Sequence, residues 1–212
     1  MAERADVTET EPPEERAFDY ARTVALSDGV FAIALTLLVL NLSVPDLAPG
    51  HHRELGARLL DRGAEFGSYA LSFAVIALLW VRHHGFFRVL DRIDTRITVL
   101  NLVYLGVVAF LPYPTRVLGL YGQETASVVL YASTVAIVGT IAGLMRIHAQ
   151  HAHLFSDAGR RAHARREHWA IAPAIFLASI PIAFASPAVA ELSWLLLLLA
   201  TLRRLPDRRP HL

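Results

Sequence analysis

Six apolar stretches, each close to the length needed to cross a bilayer, constrain this chain more than any other feature. A hydrocarbon core of about 30 Å takes about 20 helical residues. Spans of that kind read at 22–42, 66–87, 97–117, 124–147, 168–186 and 188–204. The last two are separated only by the turn signal Ser186-Pro187, and Pro173 and Pro181 interrupt the fifth; a helical hairpin is expected there rather than one very long helix. Composition agrees with a membrane protein. Hydrophobic residues make up 54% of the 212, above the share of an ordinary soluble domain, and charged residues only 18%.

The polar segments complete the organisation. Residues 1–18, acidic and proline-bearing, are expected to be disordered and lack the basic start and apolar run of a signal peptide. Residues 19–205 form the transmembrane domain, 148–168 a polar loop inside it, and 206–212 a basic tail. All the basic residues are arginines, which points to no nucleic-acid partner. With the N-terminus inside, sixteen arginines fall on the inner segments and four (Arg53, Arg58, Arg62 and Arg116) on the outer ones. The positive-inside rule then puts both termini in the cytoplasm, which an even number of spans requires. The fold class is all-α, polytopic, in the cell membrane with lipid as its surroundings.

Polar residues in or beside the spans are the candidate functional groups. Asp28 would be costly facing lipid, so it either faces a bundle interior with a partner or serves as an N-terminal helix acid behind a Ser27 cap. Trp80, Arg82, His83 and His84 stand together at one end of the second span, where an interfacial anchor is the plainer reading. Asn101, inside the third span, calls for a bond to another helix.

Other chemistry has little support. Without cysteine there is no disulfide, thiolate nucleophile or thiolate metal site. His148, His151 and His153 supply imidazoles, but no carboxylate or thiolate is arranged beside them in the sequence, so no metal is expected. The "GLYG" at 119–122 lacks the Thr-Val lead of a potassium filter. No phosphate-binding glycine loop, HExxH or Ser-His-Asp order anchors an enzyme, and no cofactor is implied.

In the first span, Ile33, Thr36, Leu37 and Leu40 follow the i, i+3, i+4, i+7 spacing and share one stripe, while Asp28 lies about 140° around the helix from Ile33. Acid and stripe look in different directions. Periodicity alone leaves the stripe to packing or to lipid.

"RTVALSDGVFAIALTLLVL" (22–40), "WVRHHGFF" (80–87) and "NLVYLGVVAFLPYPT" (101–115) resemble the first-, second- and third-helix signatures of the transmembrane protein 175 family of potassium channels. Leu26 departs from it, standing where the family usually has an aromatic residue. The resemblance implies a homotetramer in which four first helices line a central pore with no re-entrant filter. It makes Ile33 the narrowest ring, with Leu37 and Leu40 as further hydrophobic positions, and Thr36 the layer that favours potassium. It also implies that Arg22, Ser27 and Asp28 tie the first helix to His83 or His84 on the second, beside Trp80, and to Asn101 on the third. The expected function is passive K+ conduction across the cell membrane, K+ being the permeating ion. A proton-coupled secondary transporter using Asp28 and the histidine pair, or a membrane scaffold without transport, are the alternatives.

Overall fold

The computed structural model describes residues 13–49, 52–157, 159 and 171–202. They form eight α-helices: α1 (Pro13–Leu37), α2 (Leu55–Leu60), α3 (Gly63–Phe87), α4 (Thr95–Phe110), α5 (Pro112–Tyr121), α6 (Thr125–His151), α7 (Ile171–Ala185) and α8 (Pro187–Leu202). Among the described residues, four stretches are long and apolar enough to cross a membrane: Asp19–Asn41, Gly63–Phe87, Thr95–Tyr121 and Thr125–His151. α7 and α8 are shorter apolar helices. The protein is an all-α membrane protein.

Several boundaries differ from the sequence expectation. α1 reaches back to Pro13, into the segment expected to be disordered, while residues 1–12 lie outside the described part. The third apolar stretch, expected as one helix over 97–117, is two helices meeting at Leu111. Pro112 has no N–H to continue the ladder, so the Leu111 N–H closes a tighter turn onto the Val108 carbonyl at 3.1 Å, and Pro112 starts α5 in the first-turn position that proline favours. α6 continues to His151, so the start of the expected polar loop is helical. Residues 158 and 160–168 of that loop, 169 and 170 at the start of the expected fifth span, and the basic tail at 206–212 lie outside the described residues. The hairpin at Ser186-Pro187 is present: α7 ends at Ala185 and α8 begins at Pro187.

Within a bilayer, apolar helices gain little by leaving lipid, and association rests on packing and on hydrogen bonds between helices. The bundle uses both. Gly139 of α6 lets Pro173 of α7 come so close that a Cβ there would stand 2.7 Å from the proline ring. The Thr115 hydroxyl of α5 donates to the Leu111 carbonyl at 2.8 Å and lies 2.9 Å from Ser72 Oγ of α3, which lies 3.1 Å from the Tyr131 hydroxyl of α6, a buried chain of hydroxyls joining three helices. Tyr131 stacks on Trp194 of α8, whose indole N–H donates to Ser179 of α7 at 2.8 Å. α6 is central, with 56% of its most apolar window buried; α1 is the most open of the four long stretches, with 22%.

Candidate functional site

α1 holds the site because its two faces differ. A 3-10 turn, Leu38–Asn41, continues α1 at its far end and carries Leu38, Leu40 and Asn41. Ser27, Phe31, Ala34 and Leu38 follow i, i+4, i+7, i+11 and are all buried, Ser27 and Leu38 completely. That stripe covers about 60° of the helix. On the far side Ile33 is 59% exposed, Leu37 41% and Leu40 72%, and Leu26, Gly29 and Thr36 are exposed with them. Leu35 and Asp28 lie between the two faces, and Leu35 packs against the core.

The buried face is tied down by a directed hydrogen-bond chain. Ser27 spends its one hydroxyl proton on the Thr23 carbonyl at 2.8 Å, so it can only accept from Asn101 Nδ2, 3.0 Å away on α4. Asn101 therefore presents Oδ1 to His83 Nε2 on α3 at 2.7 Å, which fixes that ring nitrogen as the N–H donor. The sense runs from His83 through Asn101 and Ser27 to a backbone carbonyl. All three side chains are buried. The imidazole is further held by rings from three helices, with centroids of Phe31 at 5.5 Å, Phe87 at 4.7 Å and Tyr104 at 5.1 Å.

Asp28 takes a different partner. Its Oδ1 accepts from the Trp80 indole N–H at 2.8 Å, and His84 stacks on that indole at 5.5 Å. The geometry pairs the acid with the tryptophan, and the histidine that joins the interhelical chain is His83 through Asn101. Trp80, 37% exposed, is thus both half-open and a tether for α1. Arg22 is exposed.

Two further ties lie outside the sequence expectation. The Tyr20 hydroxyl donates to the Phe87 carbonyl at 2.6 Å, and Asn41 Nδ2 donates to the Pro112 carbonyl at 2.8 Å. Asn41 is the one amide in an otherwise apolar run, the same signal that singles out Asn101. Tyr20, at the polar foot of the helix, carries none. α1 is thus fastened at its foot, at Ser27 and Asp28, and at its far end.

Thr36 on the open face donates its hydroxyl back into its own helix, with the Ile33 carbonyl at 2.9 Å and the Ala32 carbonyl at 3.0 Å. The proton is turned inward, so the oxygen lone pairs are what the side chain offers outward.

The histidines at the far end of α6 are arranged otherwise than expected. His148 Nε2 meets Asp94 Oδ2 at 2.6 Å, so a carboxylate does stand beside one of them. Asp94 Oδ1 also caps α4 by accepting from Ile97 N at 2.8 Å. This ties the ends of two helices, and His151 and His153 are exposed. Among the described residues no three metal-ligating groups come together.

Comparison with known proteins bears on these elements. The family profile described as the endosomal/lysosomal potassium channel TMEM175 matches residues 22–112, which contain every position just discussed on α1, α3 and α4 from Arg22 to Asn101. A potassium channel of Streptomyces collinus is 40% identical over 119 residues, 55% of this chain and 56% of that protein. A potassium channel of Chamaesiphon minutus is 31% identical over 182 residues, 83% of this chain and 89% of the relative. The chain belongs to the TMEM175 family. Its fold is that of the family: the crystal structure of a lysosomal potassium-selective channel TMEM175 homolog from Chamaesiphon minutus superposes with a TM-score of 0.77 at 28% identity, covering 87% of this chain and 97% of the other. TMEM175 membership makes this chain one of a family of ion channels and not an enzyme.

Proposed function

We propose that this TMEM175-family protein is a potassium-selective channel of the cell membrane, in which four copies bring their α1 helices together around a central pore. The observation that carries the reading is the division of α1 into a buried, hydrogen-bonded face and an exposed face bearing Ile33, Thr36, Leu37 and Leu40. In this arrangement α7 and α8 are the fifth and sixth spans, and both termini are cytoplasmic. A ring of Ile33 side chains forms the constriction, where a narrow apolar throat closes by excluding water. Thr36, one turn further on, offers four outward oxygens in place of part of an ion's hydration shell, its protons having been donated to the helix. Gly29 and Ala32, small and exposed on the same side, allow the helices to approach one another. The network of Ser27, Asp28, Trp80, His83 and Asn101 positions α1 and does not itself touch ions. Arg22, exposed at the foot of the helix, is assigned to the same tethering role.

Subunit counting in detergent together with single-channel recording in planar bilayers tests this. Ile33→Asn places amides where dry side chains stood, and conductance should rise. Leu35→Ala, on the flank that packs against the core, should cost stability and leave the current through assembled channels nearly unchanged. Unaltered conductance in Ile33→Asn, a larger effect at Leu35, or a monomer that conducts would refute the arrangement.

A further inference from the structure

Away from the exposed face of α1, a cavity of about 60 Å³ lies between α3, α4, α6 and α7. Leu79, Val135, Ala142 and Phe176 give it apolar walls, and Arg82 and Arg146 line it as well. One buried water needs about 10–15 Å³ of such space and two to four polar partners. The volume is therefore ample, and although His83 and Tyr104 stand in the lining, most of the wall is apolar and suits a stretch of hydrocarbon chain. The arginines set the depth. Arg82 stands five residues before the end of α3 at Phe87 and Arg146 five before the end of α6 at His151, so each is about 7.5 Å of helix rise from its helix end, where long cationic side chains reach the headgroup layer. Arg146 Cζ lies 5.2 Å from the Phe86 ring centroid, a stack that is compatible with in-plane N–H donation to oxygen. Both arginines also make interactions within the chain.

We propose that this cavity is a binding site for an anionic membrane phospholipid, with a segment of one acyl chain between α3, α6 and α7 and the phosphate at Arg82 and Arg146. The two halves of the cavity match the two halves of such a molecule: apolar walls for the chain, guanidiniums suited to bidentate phosphate contact for the head. The cavity is too small for a whole lipid, so the rest of the molecule stays in the bilayer beside the bundle. A zwitterionic lipid offers the same chain, but its ammonium group would be brought towards the two cations. The site requires only that the bundle sit in a membrane, and it stands whether or not α1 lines the pore.

The test is native mass spectrometry of the detergent-solubilised full chain, titrated with dioleoyl phosphatidylglycerol or dioleoyl phosphatidylcholine. With each arginine near the headgroups contributing as it does at an anionic surface, phosphatidylglycerol should bind about thirtyfold more tightly than phosphatidylcholine. Arg82→Gln should remove most of that preference, and Arg82→Gln with Arg146→Gln should bring the ratio close to one. Because Arg146→Gln also removes the stack on Phe86, Ala142→Leu serves as a second variant: it fills the chain cavity, leaves both arginines, and should weaken both lipids together while circular dichroism shows the helices intact. Equal binding of the two lipids by the unmodified chain, a preference that survives the double arginine variant, or full binding in Ala142→Leu would each overturn the proposal. So would displacement of the phospholipid by glycerol phosphate at equal concentration, which would mean a headgroup site alone, or binding of oleate with none of phosphatidylglycerol.

Discussion

Replacing Asn101 by leucine tests the hydrogen-bond chain at its centre. The variant keeps the approximate volume of the side chain and deletes both its bonds. On the Ser27 side little is lost, because the serine proton still goes to the Thr23 carbonyl and only an acceptor is vacated, worth about 0.6 kcal/mol for an average interhelical bond in a membrane protein. On the other side His83 Nε2, buried and enclosed by Phe31, Phe87 and Tyr104, loses its acceptor, and an orphaned buried donor costs about 1–3 kcal/mol. The sum is about 2–4 kcal/mol, carried mostly by the histidine. SDS-titration unfolding in mixed micelles measures it. Three values decide the reasoning: Ser27→Ala, which leaves the buried Asn101 Nδ2–H without its acceptor, should itself cost about 1–3 kcal/mol, Asn101→Leu the figure above, and Asn101→Leu combined with His83→Phe should recover at least half of the loss, since an apolar pair leaves nothing unsatisfied. A Ser27→Ala variant that loses no stability, or a double variant as unstable as the sum of its singles, would refute the assignment of donors and acceptors along the chain.

If the Thr36 oxygens meet permeating ions, Thr36→Val keeps the shape, removes the oxygens, and should lower the potassium-to-sodium permeability ratio; an unchanged biionic reversal potential removes Thr36 from selectivity. Asp28→Ala leaves the Trp80 indole without its acceptor, but at 37% exposure the N–H can reach water or headgroups, so the loss should be about 1 kcal/mol or less in the same unfolding assay. Gly139→Ala drives a methyl against Pro173, 2.7 Å from where it would stand; overpacking of this kind costs about 1–3 kcal/mol, and a neutral result would mean that α6 and α7 slide apart freely.

Helices that must satisfy every backbone group inside a bilayer announce themselves by length and hydropathy, so the four long stretches and the Ser186-Pro187 hairpin are legible directly in the amino-acid sequence. The split at Leu111 is harder to read: Pro112 and Pro114 signal a disturbance, but a transmembrane helix tolerates proline when neighbouring groups re-satisfy the freed backbone. Asn101 stands out because an amide inside an apolar run must have a partner. Which partner is not legible, since the choice among Ser27, Asp28, His83 and His84 depends on the relative rotation of three helices. At the rotation adopted, Asp28 faces Trp80 and Ser27 faces Asn101, two neighbouring residues about 100° apart serving two different helices. The pairing of His148 with Asp94 joins residues 54 apart in the chain, beyond any local pattern.

On the proposed reading, the many ties on α1 are what an apolar constriction demands. If four Ile33 side chains close a pore by excluding water, the barrier depends on the gap between them, and the gap is set by the position and tilt of four helices that meet only through their exposed faces. No hydrogen bond on that face can hold the spacing, because its residues are apolar and the one hydroxyl is turned back on its own helix. The spacing must be held from behind. α1 is fastened there at three heights, to the end of α3 through Tyr20, to α3 and α4 through Ser27 and Asp28, and to the start of α5 through Asn41. The last fastening sits beside the Leu111 break, where α4 gives way to α5 without a continuous ladder. Opening by rotation of α1 must therefore either break the buried Ser27–Asn101–His83 chain or carry α3 and α4 along. The second course spares that chain but pulls Ser72 of α3 away from Thr115 of α5 and Tyr131 of α6 and Asp94 away from His148, so either course breaks polar contacts behind α1, and the helix is held in place by the whole bundle at its back.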